Sequence, residues 1–238
     1  MKPAPRISVI IPTLDEAARL QQCLESVALQ DSLEEVLVVD GGSVDGTRLA
    51  VERARPRFEE RGVPLRWMGA RRGRAAQMNA GAAASRGEII LFLHADTLLP
   101  PTAATEALES MADHRVGGAF RHAFAERTFW LRLISGCANL RSRATRCYLG
   151  DQAIFVRRDV FEELGGYPSI PIMEDLVLSR RLRRAGPTTL LAGRVRTSGR
   201  RFLSGGTART WLRMIWMRAA WRLGADPRRL VRGYREVR

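Results

Sequence analysis

The chain has 238 residues, enough for one large α/β domain or one domain with a tail, and its 45% apolar content is that of an ordinary globular protein. No apolar run approaches the roughly eighteen residues of a membrane span. Cys23, Cys137 and Cys147 stand at no metal or disulfide spacing, which fits a reducing cytoplasm. The net charge of +14 is unevenly placed: residues 1–180 balance 23 basic against 23 acidic groups, whereas 181–238 carry 16 arginines against Asp226 and Glu236. Such a tail calls for an anionic partner: a membrane surface, a nucleic acid or a phosphorylated ligand.

Met1 to Arg6 is too short and proline-rich for a signal peptide and leads straight into a β-branched strand over 7–11 that Pro12 ends. Asp15 is placed to cap a helix whose apolar positions Leu20, Leu24, Val27 and Ala28 recur at helical spacing. Residues 36–39 form a second buried strand, ended by Asp40, Gly41, Gly42 and Ser43, with a helix starting near Asp45. A third strand covers 65–68, an alanine-rich helix 75–84 stops before Gly87, and a fourth strand covers 89–93. Continuous apolar runs alternating with helices predict parallel strands covered on both faces, joined by right-handed crossovers into a doubly wound sheet.

The second half is less regular. It predicts a strand over 117–124, a helix over 128–140, a strand over 152–156, a helix to Leu164 ended by Gly165 and Gly166, and an amphipathic helix over 175–185 ended by Gly186 and Pro187. In doubly wound sheets ligands bind beyond the carboxyl ends of the strands. Here those ends present Pro12 to Glu16, Asp40, and His94 with Asp96. That much negative charge on one edge requires a cation or sugar hydroxyls to compensate it.

The ordered series "SVIIPTLDE", "VVDGGSVDGT", "GRAAQMNAG", "EIILFLHADT", "GDQAIFVRR", "LGGYP" and "MEDLVLSRRLRRAG" resembles the inverting family 2 glycosyltransferases of GT-A fold, over roughly residues 7 to 192. The "HAD" and "QMN" variants and the arginine-rich end are similar to small bacterial members labelled as associated with radical-SAM and selenium-domain proteins. The resemblance implies a GT-A catalytic domain over 1–200, its nucleotide-sugar half about 1–115 and its acceptor half 116–200, followed by a basic amphipathic helical tail over 201–238. It implies transfer of a sugar from a nucleotide-diphosphate donor, UDP-linked, to an acceptor hydroxyl with Mg²⁺ or Mn²⁺.

The same resemblance assigns roles. Asp96 keeps the metal-ligand position of an Asp-x-Asp motif; a strand-end cap is the alternative. His94 replaces the first acid, so it is open whether it bonds ribose or diphosphate or assists a manganese site. Asp40 accepts from the nucleotide base, or makes an ordinary Asp-Gly turn. Pro12, Thr13 and Glu16 line the same nucleotide pocket, and Asn79 belongs to it through the "QMN" motif. Arg74, near a helix N-terminus, is suited to hold phosphate, whereas Arg71 and Arg72 read as solvated. Glu174 and Asp175 open a helix, where acids also cap free amides; the resemblance makes Asp175 the base that removes the acceptor's proton. Asp151 and Gln152 face the acceptor. His114 and His122 read as surface or structural residues.

In the tail, Thr207 to Leu223 carries two apolar stripes. Ala208, Trp211, Leu212, Ile215, Trp216, Ala219 and Leu223 form the one that can pack on the body; Met214, Met217 and Trp221, flanked by arginines, form the one that could enter an anionic lipid interface. A helix buried on both sides is the alternative, and nucleic acid is disfavoured because the tail has no recognition fold. These readings make a cytoplasmic enzyme, peripheral on the membrane, with a lipid-linked or otherwise amphipathic acceptor. Two rivals are a nucleotidyltransferase, against which the lack of a glycine- and lysine-rich phosphate loop after the first strand argues, and a non-catalytic sugar-nucleotide or membrane-binding module.

Overall fold

The computed structural model describes residues 6–231; the expectations for 1–5 and for the end of the tail, 232–238, lie outside the described residues. Eight strands form one sheet: β1 (Ile7–Thr13), β2 (Leu33–Asp40), β3 (Leu65–Gly69), β4 (Ile89–Phe92), β5 (Thr97–Leu98), β6 (Gly117–Phe124), β7 (Phe155–Arg157) and β8 (Thr188–Thr197), in the order β3-β2-β1-β4-β7-β6-β8-β5. The first four pair in parallel, as the apolar runs require. β7 is antiparallel to both β4 and β6, whereas β6 and β8 run parallel.

The interleaved burial of β1 shows why its run is continuous rather than alternating. Ile7, Val9 and Ile11 pack on one face with Leu20, Cys23, Leu24 and Val27 of α1 (Ala17–Ala28), Val51 and Phe58 of α2 (Thr47–Glu59) and Ala103, Ala104 and Ala107 of α4 (Ala103–Met111). Ile10, with Leu37 and Val39, faces the opposite layer: Ala75, Met78 and Ala82 of α3 (Arg74–Ala84), Phe161 of α6 (Arg158–Glu163) and Leu178 and Leu182 of α7 (Glu174–Ala185). Both faces are covered, so both residue parities must be apolar.

Several local expectations change. Asp15 does not cap α1: it sits at φ 52°, its Oδ1 accepts from the Val44 N–H (2.8 Å), and its own N–H donates to Ser43 Oγ (2.8 Å). The cap comes from across the chain, where Asp45 Oδ2 accepts from the Ala17 N–H (3.1 Å). Residues 150–152 form a single 3-10 turn, so the strand expected over 152–156 shortens to β7. The helix expected over 128–140 runs on as α5 (Phe129–Thr145), with Thr128 Oγ1 accepting from the Leu131 N–H. β8 was not expected at all; its interleaved arginines and half-exposed pattern hide it.

The chain after β8 returns to the body as α8 (Arg200–Ser204), α9 (Thr207–Arg222) and α10 (Pro227–Val231). Trp211 and Met214 of α9 pack on Phe124, Leu131, Ile134 and Phe202; Met217 and Leu230 close on Ile172, with Trp221 alongside. The Arg180 guanidinium lies 4.4 Å from the centre of the Trp221 ring. The stripe expected to pack on the body and the one expected to face lipid are therefore exchanged: Met214, Met217 and Trp221 turn inward. Of the larger stripe only Trp211 does, while Leu212, Ile215, Trp216 and Leu223 stay exposed.

Helix α3 carries Arg74 and Gln77 to the sheet edge, and it can do so only by lying close on the sheet. A Cβ at Gly81 would stand 2.5 Å from Ile10 Cγ2 and 2.9 Å from Val39 Cγ2. Both neighbours are β-branched core side chains with little freedom to move. Gly81→Ala is expected to lower stability by about 1–3 kcal/mol, read as a shift of the denaturant midpoint at unchanged m-value; an unchanged midpoint would show that α3 is not seated this closely.

Candidate active site

The carboxyl ends of β1 and β4, the start of α3, residues 149–151, residues 169–175 and the chain after β8 enclose one cleft of about 900 Å³. Pro12, Thr13, Glu16, Arg74, His94, Asp96, Asp151, Glu174 and Asp175 line it together. Arg71 and Arg72, read from the sequence as solvated, stand at its mouth as well.

Three expected residues do not line it. Asn79 is spent on a backbone clamp: its Nδ2 donates to the Tyr167 carbonyl (2.9 Å) and its Oδ1 accepts from the Tyr167 N–H (2.9 Å). Gln152 is fully buried, donating to the Phe120 carbonyl (3.1 Å) and accepting from Ser142 Oγ (2.9 Å) and the Leu149 N–H (3.1 Å). Asp40 accepts from the Gly42 N–H (3.0 Å), the Ser43 N–H (2.9 Å) and the Ser43 hydroxyl, so its carboxylate shapes its own loop. The shared cause is a backbone polar group that has no water and takes the nearest side chain.

At the end of the cleft beside β1 and β4, Asp96 follows β4. Its backbone is fixed by the short pairing of β5 with β8: the Thr97 and Thr197 hydroxyls bond at 2.9 Å, and the Ser198 N–H donates to the Asp96 carbonyl (3.2 Å). Three residues beyond Thr197, Arg200 turns back into the cleft. Its Nη2 pairs with Glu16 Oε1 and lies 3.6 Å from Asp96 Oδ2. Burial raises the Glu16 carboxyl above its ordinary value against the pull of Arg200. Nothing in the local sequence distinguishes Arg200 from the fifteen other arginines after residue 180.

A divalent ion fits this end on the chemistry of its donors. Glu16 Oε2 and His94 Nε2 are closed off from solvent and make no hydrogen bond. Among the described residues no three His, Cys, Asp or Glu side chains converge to hold an ion by themselves. Asp96 would thus supply one carboxylate, with a phosphorylated ligand needed for the remaining oxygens, the usual arrangement for Mg²⁺ or Mn²⁺ at phosphates.

His94 and Asp175 meet at Gly150. A Cβ there would fall 2.7 Å from His94 Nε2 and 3.7 Å from Asp175 Oδ2. Burial, helped by Arg74, pushes the imidazole down to about 4, so it is neutral at physiological pH. Asp175 Oδ2 accepts from the Gly150 N–H (2.8 Å) and its Oδ1 from the Leu176 N–H (2.7 Å). Burial nonetheless raises the Asp175 carboxyl, and the charge of Asp151 adds to the rise. Glu174, buried beside it, is pushed up to about 7 by burial while Arg74 at 3.4 Å pulls it down.

Gln77, missed from the sequence although it lies in "GRAAQMNAG", ties the edge together: its Nε2 donates to the Thr13 (2.7 Å) and Val39 (2.8 Å) carbonyls. Of the other histidines, His114 is exposed, and His122 is buried with its Nδ1 3.2 Å from Ser135 Oγ.

The glycosyl transferase family 2 profile matches residues 8–165. The chain is 32% identical to the PGL/p-HBAD biosynthesis glycosyltransferase of Mycobacterium bovis (strain BCG / Pasteur 1173P2), over 69% of this chain and 64% of that one. It is 28% identical to glycosyltransferase AglE of Haloferax volcanii, over 69% of this chain and 57% of that one. Among solved structures, the mannosyltransferase of Pyrobaculum calidifontis in complex with GDP-Man and Mn²⁺ superposes with a TM-score of 0.64 at 26% identity, covering 81% of this chain and 57% of that one. TarS of S. aureus in complex with UDP-GlcNAc gives 0.64 at 18% identity, covering 82% and 59%, a likeness of fold. The chain thus spans less than two thirds of each of these proteins. The architecture is the GT-A fold. Five of its seven motifs contribute to one cleft and its profile match covers more than half its length, so the chain belongs to glycosyl transferase family 2.

Proposed function

We propose that the protein is an inverting glycosyltransferase that moves a sugar from a nucleotide-diphosphate donor, UDP-linked, to an acceptor hydroxyl. One observation carries this reading: a carboxylate of raised proton affinity, Asp175, is aimed by two backbone N–H groups into the same cleft as the strand-end acid Asp96. A general base and a metal-ligand position facing one space suit displacement at an anomeric carbon.

In this reading Asp175 takes the acceptor's proton as its oxygen bonds to the anomeric carbon, and the bond from that carbon to the diphosphate oxygen breaks on the opposite face. Gly150 holds the base through its N–H, and the neutral His94 ring packs beside it in the wall of the cleft. Arg74 at the start of α3 shares its charge between Glu174 and the phosphates, and Arg200 neutralises Glu16 and Asp96 until donor arrives. Asp96 would hold Mg²⁺ or Mn²⁺, which when bound would neutralise charge on the leaving diphosphate. The base of the nucleotide lies against Pro12, Thr13 and the loop that Asp40 shapes. Asp151 faces the acceptor in the cleft that Met214 and Met217 also line.

We read residues 1–200 as the catalytic unit and 201–238 as a basic tail, whose described helices complete the acceptor side, working at the cytoplasmic face of an anionic membrane on a lipid-linked acceptor. No helix among the described residues is long and apolar enough to cross a membrane. The "HAD" and "QMN" variants support a place near the small bacterial members associated with radical-SAM and selenium-domain proteins.

Calorimetric titration with UDP- and GDP-sugars is expected to give Mn²⁺-dependent binding of one nucleotide class, lost in Asp96→Ala; absence of binding by any nucleotide to folded protein would overturn the reading. Asp175→Asn is expected to cut turnover by about 10²–10⁴-fold while donor affinity changes less than about twofold; a turnover within tenfold of wild type would remove Asp175 as the base. The proton must be off Asp175 for turnover, so kcat/KM falls as pH drops through its raised value. Asp151→Asn removes a like charge that contributes to the rise, so the acid limb of the profile should move to lower pH even where the maximum is reduced. A limb that stays in place or moves up would contradict the assignment.

A further inference from the structure

Twelve large apolar side chains are exposed among the described residues, and nine of them lie in two stretches of chain, 129–140 and 203–223. On α5 they are Phe129 (73% exposed), Trp130, Leu133 and Leu140 (70%); Phe129, Leu133 and Leu140 recur at spacings that put them on one side of the helix. On α9 and its end they are Leu212, Ile215, Trp216 (63%) and Leu223 (89%). The two helices are neighbours, since Leu131 and Ile134 share a cluster with Trp211 and Met214. Their inner sides are thus occupied, and each still shows a second apolar side outward. Monomeric proteins rarely leave such a concentration uncovered.

Charge says what covers it. Neither helix contains an aspartate or glutamate, whereas α5 carries Arg132, Arg141 and Arg143 and α9 carries Arg209, Arg213, Arg218 and Arg222. Arg132, Arg143, Arg209, Arg213 and Arg222 are exposed beside the apolar rows. Outward tryptophans among arginines suit the boundary between acyl chains and anionic headgroups, where indoles sit at the interface and guanidinium groups reach the phosphates. A protein partner matched to this face would have to bring both a wide apolar strip and many acids.

We propose that α5 and α9 together form one docking face that lies in the plane of an anionic bilayer. The tail alone is half of it; the other half, Phe129 to Leu140, comes from within the 116–200 segment. The inward side of α9 presents Met214, Met217 and Arg218 to the cleft. One helix thus touches the bilayer and the acceptor end at once, and it sets the cleft at headgroup level. That last step rests on the acceptor assignment above; the docking face does not.

The test is flotation of the full chain with vesicles of phosphatidylcholine alone and with roughly one third phosphatidylglycerol, alongside calorimetric nucleotide binding on the same preparations. The expected result is flotation with the anionic vesicles, weakened by salt. It should fall at least about tenfold in Leu133→Asp and, separately, in Trp216→Asp, with nucleotide binding unchanged as the control for folding. Nucleotide binding without flotation would overturn the docking face and leave the enzymatic reading standing; flotation without nucleotide binding would do the reverse. Flotation lost in Trp216→Asp but retained in Leu133→Asp would overturn the composite face. Concentration-dependent dimers that either substitution dissolves, without vesicle binding by wild type, would assign the face to a second copy of the chain.

Discussion

The parallel registration of β1 against β2 and β4 is the constraint from which the site follows. Thr13 stands beside Asp40, so β1 and β2 end together, while β4 ends earlier, at Phe92 opposite Ile10, and the residues just past all three share one edge. Backbone hydrogen bonding sets that alignment, and the apolar residues on both faces make a slip by one residue costly. A cleft at this edge is thereby obligatory, and so is the clash of charge it creates. Glu16, Asp96, Asp151, Glu174 and Asp175 all line one space.

The fold answers that repulsion in two ways. Arginines are brought in from distant parts of the chain: Arg74 from the start of α3 to Glu174, and Arg200 from beyond β8 to Glu16 and Asp96. Burial meanwhile raises the proton affinity of Glu16, Glu174 and Asp175, which lowers the charge the cleft must carry without ligand. The second device also suits the base role proposed for Asp175. An acid kept out of water and steered by the N–H groups of Gly150 and Leu176 is a stronger base than an exposed aspartate, and it is held in one orientation.

The C-terminal helices complete the cleft. Arg200 is the guanidinium that pairs with Glu16 and lies beside Asp96, so its loss would remove that compensation from both acids. Without Met217 and Leu230, Ile172 just before the Glu174–Asp175 pair would lose its cover. The described part of the last quarter of the chain, the quarter that holds the whole excess of positive charge, is thus built into the acidic site as well as facing outward. This double use explains why α9 is apolar on two sides rather than one.

The four parallel strands of the first half and their ends were legible in the sequence, because parallel strands buried on both faces leave unbroken apolar runs and turn residues mark their ends; that Asp96, His94, Glu174 and Asp175 share one cleft was expected only from the family resemblance of their motifs. The irregular second half was not legible: β8 interleaves arginines with small apolar residues, and the 3-10 turn at Gly150 interrupts what reads as a strand. Nor could local pattern separate Asn79, Gln152 and Asp40 from their neighbours in the same motifs. Their side chains are claimed by the Tyr167 and Phe120 backbones and by the Gly42–Ser43 turn, and such claims depend on which polar groups packing strips of water. By itself the sequence determined the layered α/β plan and the acidic edge, since both follow from periodicity and charge. Only the tertiary structure decided which arginine reaches Asp96, which glycine seats His94 beside Asp175, and which stripe of α9 faces inward, because each is settled by contacts between residues far apart in the chain.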